Sequence, residues 1–237
     1  MDILDQLRDV LDEKYVYTGK DAKPWTHDWT NYYHWQPLAV VRPSNTAQVQ
    51  AIARVCSASD VAMVPVGGNT SLAGGTKAQD AIMISLDRMN AIREIKSNSQ
   101  VAVVESGAIL ENIHQAVDAH DLIFPLLFGA RGSAMIGGNL STNAGGSNVL
   151  RYGNTRDLCL GIEVVLADGR VINLMSELRK DNTGLNLKDI FIGAEGTLGI
   201  ITAAVLRLYR KPLAYVTAMV GLKDLTESLS LLSRLQN

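Results

Sequence analysis

Between Gly129 and Gly146 the chain reads Gly-Ala-Arg-Gly-Ser-Ala-Met-Ile-Gly-Gly-Asn-Leu-Ser-Thr-Asn-Ala-Gly-Gly, and six of these eighteen residues are glycine. After Ile136 the one large side chain before Asn148 is Leu140. A segment so poor in bulk cannot build a core of its own. Glycine lacks the Cβ that would keep a neighbour away and tolerates positive φ, so the stretch suits close approach of backbone to another group. Successive N–H groups in such a loop converge on one concavity and hold an anion or the oxygens of a planar ring. A flexible linker is the alternative, but Gly/Ser linkers lack interleaved apolar residues. Here Met135, Ile136 and Leu140 are set among the glycines, and a second glycine-rich loop lies upstream at Gly67–Gly75.

The 237 residues are 47% hydrophobic and 19% charged, enough apolar material for a full core in one large domain or two smaller ones. A net charge of −2 gives no electrostatic footprint for nucleic acid or an anionic membrane. Two cysteines, Cys56 and Cys159, do not make a disulfide framework, and Cys56 falls on the apolar face of a predicted helix, so both read as reduced core thiols. The N-terminus lacks a signal-peptide apolar region, and no apolar run reaches transmembrane length. The sequence reads as a cytoplasmic protein, with peripheral membrane contact left open.

Residues 2–13 carry Ile3, Leu7, Val10 and Leu11 on one stripe and predict a short amphipathic helix. Residues 14–36 are irregular and hold all three tryptophans, together with His27 and His34, whose spacing fits no metal motif. Leu38–Arg42 reads as a strand, followed by a helix capped at Ser44, Asn45 or Thr46 with Val49, Ile52, Ala53 and Cys56 inward. Val61–Val66 is a strand running straight into Gly67; Ala81–Leu86, Ala91–Lys96 and Val101–Glu105 are further strands. After Ser106-Gly107 a helix runs to about His120 and buries Ile109, Ile113, Ala116 and Val117, and His114 and His120 read as solvated or partly buried histidines. Leu160–Leu166 and Val171–Leu174 flank an Asp168-Gly169 hairpin turn. Ile200–Tyr209 alternates, with Ile200, Thr202, Ala204, Leu206 and Leu208 on one side. Ala214–Val220 reads as a strand and Lys223–Leu235 as a helix with Leu225, Leu229 and Leu232 in register. A lone strand–helix unit cannot bury itself, so these residues are expected to begin another domain of a longer protein.

A strand followed by glycines suggests a dinucleotide-binding βαβ unit, but that fingerprint must open directly into a helix. After Gly74-Gly75 the chain continues Thr-Lys-Ala-Gln-Asp into another strand, and no Gly-Lys-Ser/Thr of a P-loop is present. Several separate loops must then cradle one ligand, which suits a long, bent dinucleotide with a large planar ring; FAD is a cofactor of that size. In detail, Pro65-Val-Gly-Gly-Asn-Thr-Ser-Leu-Ala-Gly-Gly75, Ile136-Gly-Gly-Asn-Leu-Ser-Thr-Asn-Ala-Gly-Gly146 and Glu195-Gly-Thr-Leu-Gly-Ile-Ile-Thr202 resemble the three cofactor loops of the FAD-linked oxidases of the vanillyl-alcohol oxidase and p-cresol methylhydroxylase type. Leu150-Arg-Tyr-Gly153, Glu163-Val-Val-Leu-Ala-Asp-Gly169 and Leu178-Arg-Lys-Asp-Asn-Thr-Gly184 make the chain most similar to the D-lactate, glycolate and D-2-hydroxyglutarate dehydrogenases.

The resemblance covers about residues 37–211. It implies an α+β fold: an FAD-binding domain of two α+β subdomains (about 37–100 and 101–211), an N-terminal lead-in over 1–36, and at 212–237 the first strand and helix of a substrate domain. It places Pro65, Val66, Gly67, Gly68, Asn69, Thr70 and Ser71 at the cofactor, with the 67–71 loop on the pyrophosphate. Gly132, Ser133, Ile136, Gly137, Gly138 and Asn139 would join them. Thr142, Asn143, Ala144 and Gly145 would lie beside the isoalloxazine and ribityl chain, and Pro125 is also placed at the cofactor. Glu195, Gly196, Gly199, Ile200 and Ile201 would give contacts to the adenine or ribose. Relatives that carry an acidic residue after Pro125 are not matched, since Leu126-Leu127-Phe128 follows here. Covalent relatives place a flavin-linking histidine where this chain has Asn69, so FAD is expected to be non-covalent.

Family resemblance further implies hydride transfer from a small 2-hydroxy acid to flavin, reoxidised by a quinone or an electron-transfer protein. The arginines and histidines for the substrate, and in some members a metal, would belong to the following domain. No catalytic residue and no metal ligand is therefore assigned within this chain, and homo-oligomerisation is left open. An electron-relay flavin subunit and a non-flavin nucleotide-binding module are the alternative readings.

Overall fold

A computed structural model describes residues 2–236. In chain order the elements are α1 (Ile3–Val10), β1 (Val16–Tyr17), β2 (Ala39–Val41), α2 (Thr46–Ala58), β3 (Met63–Val66), β4 (Ile82–Ser85), β5 (Ile92–Lys96) and β6 (Val101–Glu105). Then follow α3 (Leu110–Asp118), β7 (Leu122–Ile123), α4 (Ile136–Ser141), α5 (Val149–Tyr152), β8 (Cys159–Val165), β9 (Val171–Leu174), α6 (Lys188–Phe191), β10 (Ile200–Arg207), β11 (Tyr209–Arg210) and α7 (Leu225–Gln236).

The strands form two principal sheets. In the first, ordered β1-β2-β4-β3, the strands β2, β4 and β3 run parallel and β1 closes the edge antiparallel. Parallel strands need a crossover, and α2 supplies it between β2 and β3. Asn45 caps that helix by accepting the Gln48 N–H at 3.0 Å, and Val49, Ile52, Ala53 and Cys56 are buried, as the spacing predicts. The second sheet is antiparallel throughout, ordered β5-β6-β10-β8-β9. Its β8–β9 hairpin turns at Asp168-Gly169, where Gly169 takes φ +81° and the Leu166 N–H meets the Arg170 carbonyl at 2.8 Å.

One apolar core lies between the second sheet and α3 and α4, built on Val104, Ile113, Ile136, Leu140, Ile162, Ala204 and Leu206. Another packs α1 and α2 on the first sheet and takes in Val165 and Ile200 from the second. The two sheets are therefore joined by a shared core. Polar contacts reinforce the joint: Glu163 on β8 accepts from Thr46 Oγ1 at 2.6 Å and from Thr202 Oγ1 at 2.7 Å.

Three sequence expectations need correction. The glycine-rich stretch is not all loop, because Ile136–Ser141 forms a helical turn. Ile136 and Leu140, four residues apart, both reach the core, and the Ile136 and Gly137 N–H groups are taken by the carbonyls of Ala108 and Ser106 at 3.0 and 2.7 Å. The one-sided pattern at Ile200–Tyr209 also fails. From Ile200 to Leu206, β10 is buried on both faces, because it is the middle strand and is covered on each side. Register shifts at Ile201/Ala203 and Val205/Leu206 break the simple alternation. Finally, Ala214–Val220 is not a strand. It has no neighbouring strand among the described residues, and an unpaired strand leaves its backbone groups unsatisfied. Val216 and Met219 are fully exposed there, and the Leu225, Leu229 and Leu232 stripe of α7 is exposed as well.

Candidate functional site

At the C-terminal end of β3 the chain leaves the sheet at Gly67. From there to Ser71, the five consecutive backbone N–H groups have no protein acceptor among the described residues. These residues are half-buried, and a run of free amides on one loop can receive an external acceptor. This loop forms one wall of a cleft of about 300 Å³, at the lower end of the roughly 300–1,000 Å³ of small-molecule sites. Gly137, Gly138, Asn139 and Ser141 of α4 also line it, with Thr142 and Ala144 beyond its end. Glu195, Gly196, Ile200 and Ile201 complete the enclosure, held against α4 by the Glu195 N–H, which donates to the Ser141 carbonyl at 2.8 Å.

The glycines of these walls do different things. A Cβ on Gly68 would stand 2.0 Å from the Ser133 carbonyl oxygen, and one on Gly137 would stand 2.6 Å from Ser106 Cβ. These two glycines let one chain segment close on another. Gly196, at φ +80°, does the same against the Pro65 ring at 2.6 Å. Gly138 alone of these meets nothing within 4 Å, so it presents bare backbone to the open cleft.

Two buried polar atoms in the cleft have no partner among the described residues: Ser106 Oγ and Asn139 Nδ2. Ser106 is 1% exposed and Asn139 5%, so neither is satisfied by bulk water, and a bound polar ligand would complete both. Asn69 is the opposite case. Its Nδ2 donates to the His27 carbonyl at 2.8 Å and its Oδ1 accepts from Thr76 Oγ1 at 2.7 Å, which ties the N-terminal lead-in to the first loop.

Of the residues expected at a ligand, Pro65 to Ser71, Gly137, Gly138, Asn139, Thr142, Ala144, Glu195, Gly196, Ile200 and Ile201 line the cleft. Pro125, Gly132, Ser133, Ile136, Asn143, Gly145 and Gly199 do not. Ile136 is wholly in the core, Pro125 gives its carbonyl to Asn148 Nδ2 at 3.0 Å, and Gly132 is exposed. Ser133 serves through its carbonyl against Gly68, and Asn143 accepts the Arg156 N–H at 3.0 Å. Gly145 is exposed, with Asn154 Oδ1 and Val149 Cγ2 at 3.4 Å from its Cβ position. Gly199 packs on Val164 and lines a second recess of about 440 Å³ that shares Pro65, Gly196 and Ile200 with the cleft. Sequence reasoning missed Gly75, Thr76, Leu86, Ser106, Phe128, Met135 and Ser141, which also line the cleft. Leu86 and Ser106 each follow the last residue of a strand, β4 and β6, and that position was the signal available for them.

The histidines stand apart from the cleft lining. His27 and His34 face each other across a backbone bridge, and His34 Nε2 bonds the Asn31 carbonyl at 3.0 Å. His114 on α3 donates from Nε2 to the Leu126 carbonyl at 3.0 Å, and burial lowers its pKa below the usual histidine value. Cys56 and Cys159 are free and buried, as expected, and burial pushes their thiols up to about 11 and about 12.

A family profile described as "FAD binding domain" matches residues 37–175. The chain belongs to this family of FAD-binding domains. The mitochondrial D-2-hydroxyglutarate dehydrogenase of Danio rerio is 45% identical over 195 residues, covering 82% of this chain and 37% of its own length. The D-2-hydroxyglutarate dehydrogenase of Stutzerimonas stutzeri (strain A1501) is 37% identical over 237 residues, covering 99% of this chain and 51% of its own. The chain thus spans about half or less of the length of these curated relatives. A solved structure of alkyldihydroxyacetonephosphate synthase superposes with a TM-score of 0.79 over 90% of this chain and 41% of that one, at 20% identity, a likeness of fold. The α+β fold of the FAD-linked oxidases and the FAD cofactor expected from the three loops are borne out. Among the described residues no helix is long and apolar enough to cross a membrane.

Proposed function

We propose that the cleft holds FAD without a covalent link and that this chain is the flavin-binding part of a dehydrogenase acting on a D-2-hydroxy acid. The observation that carries the reading is the row of unbonded amides at residues 67–71, set beside the bare backbone of Gly138 with Ser106 Oγ and Asn139 Nδ2 buried and unpartnered in the same cleft. A run of unbonded amides suits the oxygens of a pyrophosphate. Ser106 and Asn139 suit the polar edge or hydroxyls of a bound ring or polyol. The second recess, which shares Pro65, Gly196 and Ile200 with the cleft, lies where the adenosine end of a dinucleotide would extend. Asn69, with both ends of its side chain engaged, is in no position to bond a flavin.

When bound, FAD supplies a two-electron acceptor for the hydride leaving the hydroxyl-bearing carbon. The chain's residues bind and orient it and keep one face of the cleft dry through Leu86, Phe128, Met135 and Ile201. Oxidising a hydroxy acid also needs a cation for the carboxylate and a base for the hydroxyl proton. The cleft lining contains no lysine, arginine or histidine. Those groups then come from a further domain, to which we assign residues 212–237 as the approach, and whose packing would cover the exposed leucines of α7. The curated relatives named dehydrogenases of D-2-hydroxyglutarate support that substrate class.

Two measurements test this reading. Heating the purified chain and chromatographing the released chromophore should yield FAD; FMN or a nicotinamide nucleotide as sole ligand would sink it. An artificial-acceptor assay should show turnover of a D-2-hydroxy acid by a longer protein that contains this chain and negligible turnover by residues 1–237. Strong turnover by the 237 residues would mean that the substrate groups lie within them.

A further inference from the structure

At the edge of the second sheet away from the cleft, a cavity of about 700 Å³ opens beneath the 176–188 segment, and it shares no lining residue with the cleft. Three arginines converge on it from separate parts of the chain: Arg156, Arg179 and Arg207. The backbone explains how they meet. Arg207, at the end of β10, donates its N–H to the Leu158 carbonyl at 2.8 Å, two residues beyond Arg156. Its neighbour Leu208 donates to the Gln100 carbonyl at 2.8 Å, and Gln100 Oε1 in turn accepts from Arg179 at 2.8 Å.

None of the three has a carboxylate partner among the described residues. Arg156 Nη2 donates to the Ile192 carbonyl at 2.5 Å and Arg179 Nη2 to Ser99 and Gln100, while the Nε atoms of Arg156 and Arg207 are buried with no acceptor. Of the acids that line the cavity, Asp189 is ion-paired with Lys188 Nζ at 2.8 Å and accepts from Asn186 Nδ2 at 2.6 Å. Asp157 and Asp181 accept from neutral donors, the Asn154 N–H at 2.8 Å and Thr183, without pairing with an arginine. Buried guanidinium donors left without acceptors are costly unless something supplies the oxygens.

We infer that this cavity is a second binding site, separate from the flavin cleft, for a small oxyanion bearing phosphate or carboxylate groups. Planar guanidinium forks match both kinds of oxyanion in paired geometry, and several arginines entering from different segments suit a ligand with more than one anionic group. A ligand bound here would clasp the 176–188 segment to β10. Through Arg156, whose N–H donates to Asn143 at 3.0 Å, it would also touch the segment that follows α4.

The test uses the purified 237-residue chain saturated with FAD, so that the cleft is filled. Calorimetric titration at fixed ionic strength compares inorganic pyrophosphate, inorganic phosphate and citrate, with chloride as the control. Saturable one-to-one binding of pyrophosphate or citrate is expected, and the tighter of the two identifies the chemistry. Arg207→Gln and Arg179→Gln should each weaken it at least tenfold, with flavin content and circular dichroism unchanged. Arg207→Lys keeps the charge but loses Nε, and should be intermediate; this variant serves if Arg207→Gln fails to fold. No saturable heat from any of the three anions, or binding unchanged in the arginine variants, overturns the proposal.

Discussion

The tripeptide Gly-Gly-Asn occurs twice in the cleft, as Gly67-Gly68-Asn69 and as Gly137-Gly138-Asn139, and the two copies divide their labour in opposite ways. In the first copy the second glycine is the buttressed one, closed against the Ser133 carbonyl. In the second copy the first glycine is buttressed, against Ser106, and the second stands open. Asn69 sits at φ +48° with its amide engaged by His27 and Thr76, whereas Asn139 lies within α4 with its Nδ2 unpartnered. Identical local sequence therefore uses its side-chain positions differently: at Gly68 and Asn69 they serve assembly and leave the backbone amides free, and at Gly138 and Asn139 they face the cleft. The surroundings decide which, since a residue's role depends on what stands at its Cβ and at its polar tip.

Substitutions should separate the two roles, beginning with the largest effect. Gly68→Val forces a side chain into the space of the Ser133 backbone. Overpacking of this kind costs about 1–3 kcal/mol or more, so thermal denaturation without flavin should move several degrees lower and flavin content should fall with it. Gly138→Val meets no protein atom within 4 Å. It should leave the flavin-free melting temperature unchanged or slightly raised, because valine is the better helix former, while FAD affinity drops at least about tenfold, ~1.4 kcal/mol. Full FAD occupancy in Gly138→Val would mean that Gly138 does not face the flavin.

Asn69→Ala removes two hydrogen bonds to the lead-in and should cost about 1–3 kcal/mol of stability. Asn139→Ala removes a buried donor with no protein partner, so the flavin-free protein should lose little, and FAD should bind about 2–10-fold more weakly, the worth of one ordinary hydrogen bond. Equal melting temperatures for the two alanine variants would show that the asparagines are not used differently.

The smallest effect is a pH dependence outside the cleft. His114 has a lowered pKa in the folded chain because burial disfavours its charged form. The unfolded chain, with histidine near 6.5, takes up its proton first as pH falls. Stability from this site is present above about pH 6.5 and is lost as the pH drops through the folded value. The melting temperature should decline on acidification in that window, and His114→Gln, which keeps a donor for Leu126, should flatten the decline. An unchanged slope in the variant would remove His114 as its source.

What could be read from the sequence was what local chemistry settles. The α2 stripe of Val49, Ile52, Ala53 and Cys56, the Asn45 cap and the Asp168-Gly169 hairpin depend on residues a few positions apart, and all appear as expected. The three glycine loops were legible for the same reason. What depends on distant partners was not. The α4 turn runs against the low helix propensity of its glycines and stands because Ile136 and Leu140 are buried and Ser106 and Ala108 hold its first amides. Ser106 joins the cleft only because β6 ends against that turn. Residues 214–220 are rich in apolar and β-branched residues like a strand, yet they pair with no strand among the described residues.

The cleft walls come from segments between Pro65 and Ile201, so the concavity does not exist until both sheets have formed and their shared core has closed. Such long-range closure is slow to assemble, and an unfolded or half-folded chain offers the flavin nothing to grip. Flavin then binds the finished fold alone and shifts the unfolding equilibrium by mass action, about 2.7 kcal/mol when its free concentration is about 100 times its dissociation constant. The melting point of the holoprotein should therefore climb with added FAD, and the loss of bound flavin absorbance should coincide in temperature with the loss of helical ellipticity.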